Sequence, residues 1–208
     1  MSAGVLQLGE EGQDRKVSIL TLKQEKGHET SVVGMVIFLG SWLMAFLALF
    51  FSFLMIRFRA AEWPPGGLDT LPMTLPIINT CIVLFSSVCL RKAVSAMRIR
   101  DGKVFRRWLS FALGLGTLFL ALQIINWASL WNAGFRVDTG AYGSFFYTLT
   151  VFHGLHVLAG IGLLLWLVFQ TRSLTTGRYE RARVRVIELF WHFVGVVWVA
   201  VFGLVYLV

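Results

Sequence analysis

The chain has 208 residues, 57% of them hydrophobic and 14% charged, with a formal net charge of +8. That composition is too apolar for an ordinary soluble domain and points to a polytopic membrane protein. The basic charge then has a membrane explanation, which sets nucleic acid aside as a partner.

Residues 1–31 are polar and mixed in charge, without a clear apolar period. They read as an N-terminal surface tail, partly disordered near Met1. Within it VSILTL (17–22) alternates apolar and polar residues, as expected either of a segment lying on a partner or the membrane surface or of an unstructured tail. No basic stretch runs directly into an apolar core, so no cleaved signal peptide is expected.

Residues 32–208 form the membrane domain. Five apolar stretches, approximately 32–56, 75–96, 108–131, 144–170 and 187–208, each approach or exceed the roughly 20 residues a spanning helix needs. The expected fold is all-α, a bundle of five transmembrane helices. The first connection, 57–74, contains WPPGG, which ends any helix. The second, 97–107, is basic, the third, 132–143, is short and glycine-rich, and the fourth, 171–186, is basic again.

Charge orients the bundle. The tail, the second connection with its flank and the fourth connection carry sixteen of the nineteen Lys and Arg residues. With five crossings these segments share one side, and only Arg57, Arg59 and Arg136 fall on the other. The positive-inside rule puts the N-terminus in the cytoplasm and the C-terminus outside. The basic segments, Arg172 among them, can also meet anionic lipid headgroups.

Cys81 and Cys89 are eight residues apart on one predicted helix, about 12 Å along its axis. That is beyond disulfide reach, so both read as packing residues. Small residues mark expected close approaches: Gly34, Gly40, Ser41, Gly114, Gly116, Gly154, Gly160 and Gly195.

The fourth span carries His153 and His156 at depth, on one helical face. Ionisable groups in a span normally face protein or water. The fifth span, with His192 between Trp191 and Trp198, is the expected partner of that face. His153 and His156 cannot ligate one haem from opposite sides; one of them with His192 could, but there is no second pair and no acid or thiol cluster to complete a non-haem site. Hydrogen bonding of these histidines between helices is the expected use. Glu188 lies one turn before His192 and is placed to pair with it or with the basic connection. Gln123 and Asn126 on the third span do not titrate and are expected to bond between helices.

At these residues the sequence resembles a known family. GSFFYTLTVFHGLHVLAG and LFWHFVGVVWVAVFGLVYL are similar to the last two helices of subunit III of the haem–copper oxidases. GMVIFLGSWLMAFLALFFSFLMIR resembles that family's GMxLFxxSE helix, with Ser41 on the motif serine. LPIINTCIVLFSS resembles its LPLxNTxxLLxSS helix, with Asn79 on the motif asparagine, and the third span with Gln123 resembles its GxxFxxxQxxEW helix. The match runs from about residue 31 to 208, and the chain is similar to the five-helix bacterial form.

The resemblance implies a subunit with no redox group of its own. It implies haem and copper in a partner catalytic subunit I, contact with that and other oxidase subunits, bound phospholipid, and a multi-pass place in the bacterial cytoplasmic membrane. His153, His156, Trp191, His192 and Trp198 fall on motif positions. Three family acids are missing: Trp42, Asn126 and Gly195 stand where the motifs carry carboxylates. Their loss removes any titrating role and argues against a direct part in proton handling. It also suits an alternative, a subunit III-like accessory protein of a nitric oxide reductase. A stand-alone transporter lacks support, with no intramembrane acids and no broken-helix repeat.

Overall fold

The computed structural model describes residues 3–60, 72–99, 101–170 and 178–207, giving for 3–29, 31 and 178–181 the backbone alone. WPPGG and Arg172 lie outside the described residues. All regular structure among the described residues is helical: α1 (Ala3–Arg59), α2 (Thr74–Arg98), α3 (Gly102–Asn132), α4 (Ala141–Gln170) and α5 (Arg178–Phe202), which runs into a π-helical turn, Gly203–Leu207. Among the described residues, five stretches are long and apolar enough to cross a membrane, Val32–Arg59, Thr74–Arg98, Gly102–Asn132, Ala141–Gln170 and Ala182–Leu207. The helix of the first begins well before its apolar part, at Ala3.

Local chemistry sets several ends. Pro76 sits in the first turn of α2, where its missing N–H breaks no helical bond. Asp101 caps α3, its carboxylate accepting from the backbone N–H groups of Lys103 (3.1 Å) and Val104 (3.0 Å). The basic connection read as 97–107 is therefore mostly helix, with α2 running to Arg98 and α3 beginning at Gly102. Lys103, Arg106 and Arg107 belong to the first turns of α3, where long basic side chains lie along a helix while their charges reach water.

The α3–α4 connection is short and internally tied. Gly134 and Gly140 adopt φ of 87° and 114°, values that only glycine takes without strain. Tyr147 donates to Phe135 O (2.7 Å), Thr139 to Arg136 O (2.6 Å) and Ser144 to Val137 O (2.6 Å). A side chain at Gly143 would run into the Arg136 carbonyl.

The fifth helix is the centre of the bundle. It packs against α1, α2 and α4, α2 packs closely on α3, and α3 on α4. Half of its apolar stretch is buried within the chain, against 11% for α1. The first helix meets the bundle by one stripe at alternating spacings of four and three, Met35, Leu39, Trp42, Phe46, Leu49 and Phe53. Its other faces expose Ile37, Met44, Phe51 and Met55.

The glycines divide into two groups. Gly34, Gly40 and Gly114 have no atom within 4 Å of where a Cβ would stand, and Ser41 is exposed. No described helix of this chain approaches closely there, because those positions face away from the rest of it. Gly116, Gly154, Gly160 and Gly195 do meet neighbours, and three of the four lie against tryptophan rings. Cys89 is buried as expected, but Cys81 is exposed and is not a packing residue within this chain.

Candidate functional site

The buried polar side chains gather between α2, α3, α4 and α5. Each lone polar group in an apolar span needs a partner, since hydrocarbon supplies none. Most find one across a helix interface. Asn79 Nδ2 donates to Gln123 Oε1 at 3.1 Å, tying α2 to α3. Asn126 Nδ2 donates to the Tyr206 hydroxyl at 3.1 Å, tying α3 to the π-helical turn. Tyr142 donates to the Val205 carbonyl of that turn at 3.4 Å. The wide turn thus aims both Tyr206 and a backbone carbonyl at neighbouring helices.

Both tryptophans of α5 are fully buried and tied to α2. The Trp198 Nε1–H donates to Thr80 Oγ1 (3.0 Å), and that of Trp191 to Ser86 Oγ (3.1 Å). Ser86 in turn donates to Ala112 O of α3 at 3.1 Å, so one hydroxyl joins three helices. Ser86→Ala should leave the buried indole N–H without a partner, while Ala112 O, in the middle of α3, keeps its backbone helical bond. The expected cost is about 1–3 kcal/mol, read as a lower midpoint for thermal unfolding in detergent. On α3, Trp127 donates to Thr150 Oγ1 at 3.1 Å while Thr150 donates to Phe146 O within α4.

The histidines behave differently from expectation. His153 lies in an aromatic cage of Phe46, Phe119 and Trp198, with ring centroids at 6.4, 6.2 and 5.3 Å. Neither of its nitrogens has a hydrogen-bond partner among the described residues. His156 shares a hydrogen bond at 2.7 Å between Nδ1 and Phe152 O of its own helix. Neither histidine bonds across a helix interface; their neighbours from α1 and α3 are aromatic rings. His192 Nε2 approaches Glu188 at 3.7 Å, and Glu188 is held chiefly by Arg185 at 2.7 Å. Both sequence-expected partners of Glu188, the histidine and the basic segment, are present.

The three positions without acids each show what replaces the carboxylate. Trp42 packs its ring on His156 (4.3 Å, edge-on), Phe152 (5.6 Å) and Phe38 (5.9 Å). Asn126 is in the hydrogen bond to Tyr206. A Cβ at Gly195 would stand 3.3 Å from Ser87 Oγ, so α5 lies close on α2 there. Ser41 is exposed and bonds Ile37 O of its own helix. Among the described residues no group of three or more His, Cys, Asp or Glu is placed to hold a metal ion.

Interfacial residues pair with rings at the bundle ends. Lys92 lies 4.5 Å over Trp108, and Arg136 lies 5.4 Å over Trp131. Such pairs suit the headgroup level of a bilayer, where an aromatic ring and a cation are both partly wet.

The model of the family described as cytochrome c oxidase subunit III matches residues 20–208. The chain belongs to that family. A cytochrome c oxidase subunit 3 of Synechocystis sp. is 37% identical over 185 residues, covering 87% of this chain and 77% of the relative. That of Thermostichus vulcanus is 33% identical over 179 residues, covering 85% and 86%. A vertebrate relative of the same name, from Ornithorhynchus anatinus, is 32% identical over 194 residues, covering 87% and 73%. The family match includes all five apolar stretches and the α5 tryptophans. It is a multi-pass membrane protein.

Several residues central to this arrangement were not singled out by sequence reasoning: Thr80, Ser86, Trp127, Thr150 and Tyr206. Their signal is a hydroxyl or indole inside an apolar stretch. The partner of each is set by the tertiary fold.

Proposed function

We propose that the chain is the non-catalytic subunit III of a respiratory haem–copper terminal oxidase. It packs on catalytic subunit I, where the haem and copper reside, and carries bound phospholipid at its apolar and basic faces. It lies in the bacterial cytoplasmic membrane with the N-terminus in the cytoplasm and the C-terminus outside. The observation that carries this reading is the family match across 20–208, with relatives that bear oxidase subunit names. Nothing found favours the nitric oxide reductase reading. The bonds of Asn79, Ser86, Gln123, Asn126 and Thr150 support a structural role, because they tie one helix to another. The exposed faces of α1 support the bilayer and a neighbouring subunit as surroundings.

The test is a mild-detergent pull-down of the tagged chain from its native membrane, with an optical spectrum and mass spectrometry of the eluate. A haem–copper catalytic subunit that reduces oxygen is the expected companion. A haem b and non-haem iron subunit that reduces nitric oxide, or a colourless chain on its own, would overturn the reading.

The site residues enter as positioning groups. Trp42 fills with aromatic ring the place of the family carboxylate, beside His156. Trp42→Glu should therefore give no gain in proton uptake by the parent enzyme, measured with pH-sensitive dye on single turnover. A clear gain would mean that the missing carboxylate matters to this complex.

A further inference from the structure

Four buried polar atoms have no hydrogen-bond partner in one region of the bundle: Nδ1 and Nε2 of His153, Oδ1 of Asn79 and Nε2 of Gln123. The three side chains are 0–1% exposed. They come from α4, α2 and α3, and one layer of contacts joins them. Asn79 and Gln123 are bonded to each other. Gln123 is one turn beyond Phe119, whose ring packs edge-on against both His153 and Trp198. Trp198 lies against His153 and donates to Thr80, the residue after Asn79.

Leaving four such atoms without partners inside a membrane protein is costly, since neither lipid nor aromatic ring edges replace a hydrogen bond. Counted by atom, the inventory is balanced. A neutral imidazole brings one donor and one acceptor nitrogen, the Gln123 amide a donor nitrogen, which lies toward the Tyr206 hydroxyl without meeting it at hydrogen-bond distance, and the Asn79 amide an acceptor oxygen. Exchanging oxygen and nitrogen in both amides leaves the same balance, one donor and one acceptor. Two donors and two acceptors are what water satisfies. The two ring nitrogens point apart, so one molecule does not serve both. Phe46, Phe119 and Trp198 supply rings and no further acceptor toward the imidazole.

We propose that this layer is an internal water site, with at least one molecule at each ring nitrogen of His153 and the unmet amide atoms of Asn79 and Gln123 as the other partners. Buried waters of this kind make two to four hydrogen bonds to otherwise unsatisfied groups. Water at both nitrogens lets His153 exchange tautomers without orphaning an N–H or a lone pair. The imidazole is thereby a hydrated group inside the helix bundle, and the aromatic cage is its wall.

The experiment is a cryo-EM map, at a resolution that shows ordered water, of the chain purified with its partners from its native membrane. Density at hydrogen-bonding distance from both His153 nitrogens is expected, with one site shared by the Asn79–Gln123 pair. A second map of His153→Phe should lose the density at the ring while the amide pair keeps its own. A dry layer in the unaltered chain, with protein groups meeting these four atoms, would overturn the proposal. The result is read inside this chain whichever subunits copurify, so it stands or falls apart from the oxidase assignment.

Discussion

Gly116→Ala is expected to destabilise the bundle by about 1–3 kcal/mol, the usual cost of forcing a methyl into a filled core. Gly116→Leu should prevent folding altogether. The reason lies in Trp191. A Cβ at Gly116 would stand 2.5 Å from its Cη2 and 2.8 Å from its Cζ2, and one at Gly160 would stand 2.9 Å from Cε3 and Cζ3 on the other edge. The indole is therefore held between α3 and α4 with no slack on either side. It cannot swing away, because Nε1 is bonded to Ser86 on α2. One rigid side chain of α5 thus sets the spacing of three other helices. The check is a double-mutant cycle on unfolding in micelles. Trp191→Phe removes the ring atoms that would collide, so Gly116→Ala combined with Trp191→Phe should be less damaging than the two single costs added. A coupling of about 0.5–3 kcal/mol is expected for residues in direct contact. Plain additivity would show that Gly116 is not spaced by Trp191.

The second large effect concerns Trp198. Its side chain is fully buried, edge-on to Phe119 at 4.8 Å and against His153 at 5.3 Å. Trp198→Ala should cost about 3–5 kcal/mol, mostly through the cavity it leaves. The hydrogen bond is the smaller part. Thr80 keeps its own bond to Pro76 O at 2.8 Å, so losing the indole N–H strands no hydroxyl proton. Trp198→Phe should therefore retain most of the stability, losing roughly 1 kcal/mol for the bond and some packing. Denaturant midpoints of the two variants, compared with the unaltered chain in the same detergent, give the ranking. Equal losses for Phe and Ala would mean that the hydrogen bond, not ring volume, holds this layer together.

Much of the architecture is legible because a bilayer imposes one dominant rule, a run of about twenty apolar residues per crossing. All five stretches fall where that rule puts them. Boundaries were less legible where charge and helix coexist. Lys103, Arg106 and Arg107 look like connection, yet Asp101 caps a helix that already contains them. The type of contact was readable for Gln123 and Asn126, which do bond between helices. The partners were not, because Tyr206 lies 80 residues from Asn126. For His153 and His156 even the type of contact differs from the expected bond between helices. Depth in a span says that His153 faces protein, but not that its neighbours from α1, α3 and α5 are rings. Gly34 and Gly116 are equally small in the sequence, and only the rotation of each helix decides which one meets a tryptophan.

The central position of α5 has a consequence for biogenesis. The helix against which α1, α2 and α4 rest is the last of the five to leave the ribosome. Until it is inserted, Ser86 and Thr80 lack their indole partners, the stripe of α1 lacks much of its seat, and Gly116 and Gly160 lack the Trp191 ring they pack on. The first four spans can enter the membrane in sequence, but they cannot reach their final packing as they are made. Translation must finish before the fold does. A chain stopped short of α5 would present the quality-control machinery with four inserted helices whose shared core, built on the α2–α3 and α3–α4 contacts, lacks its central member.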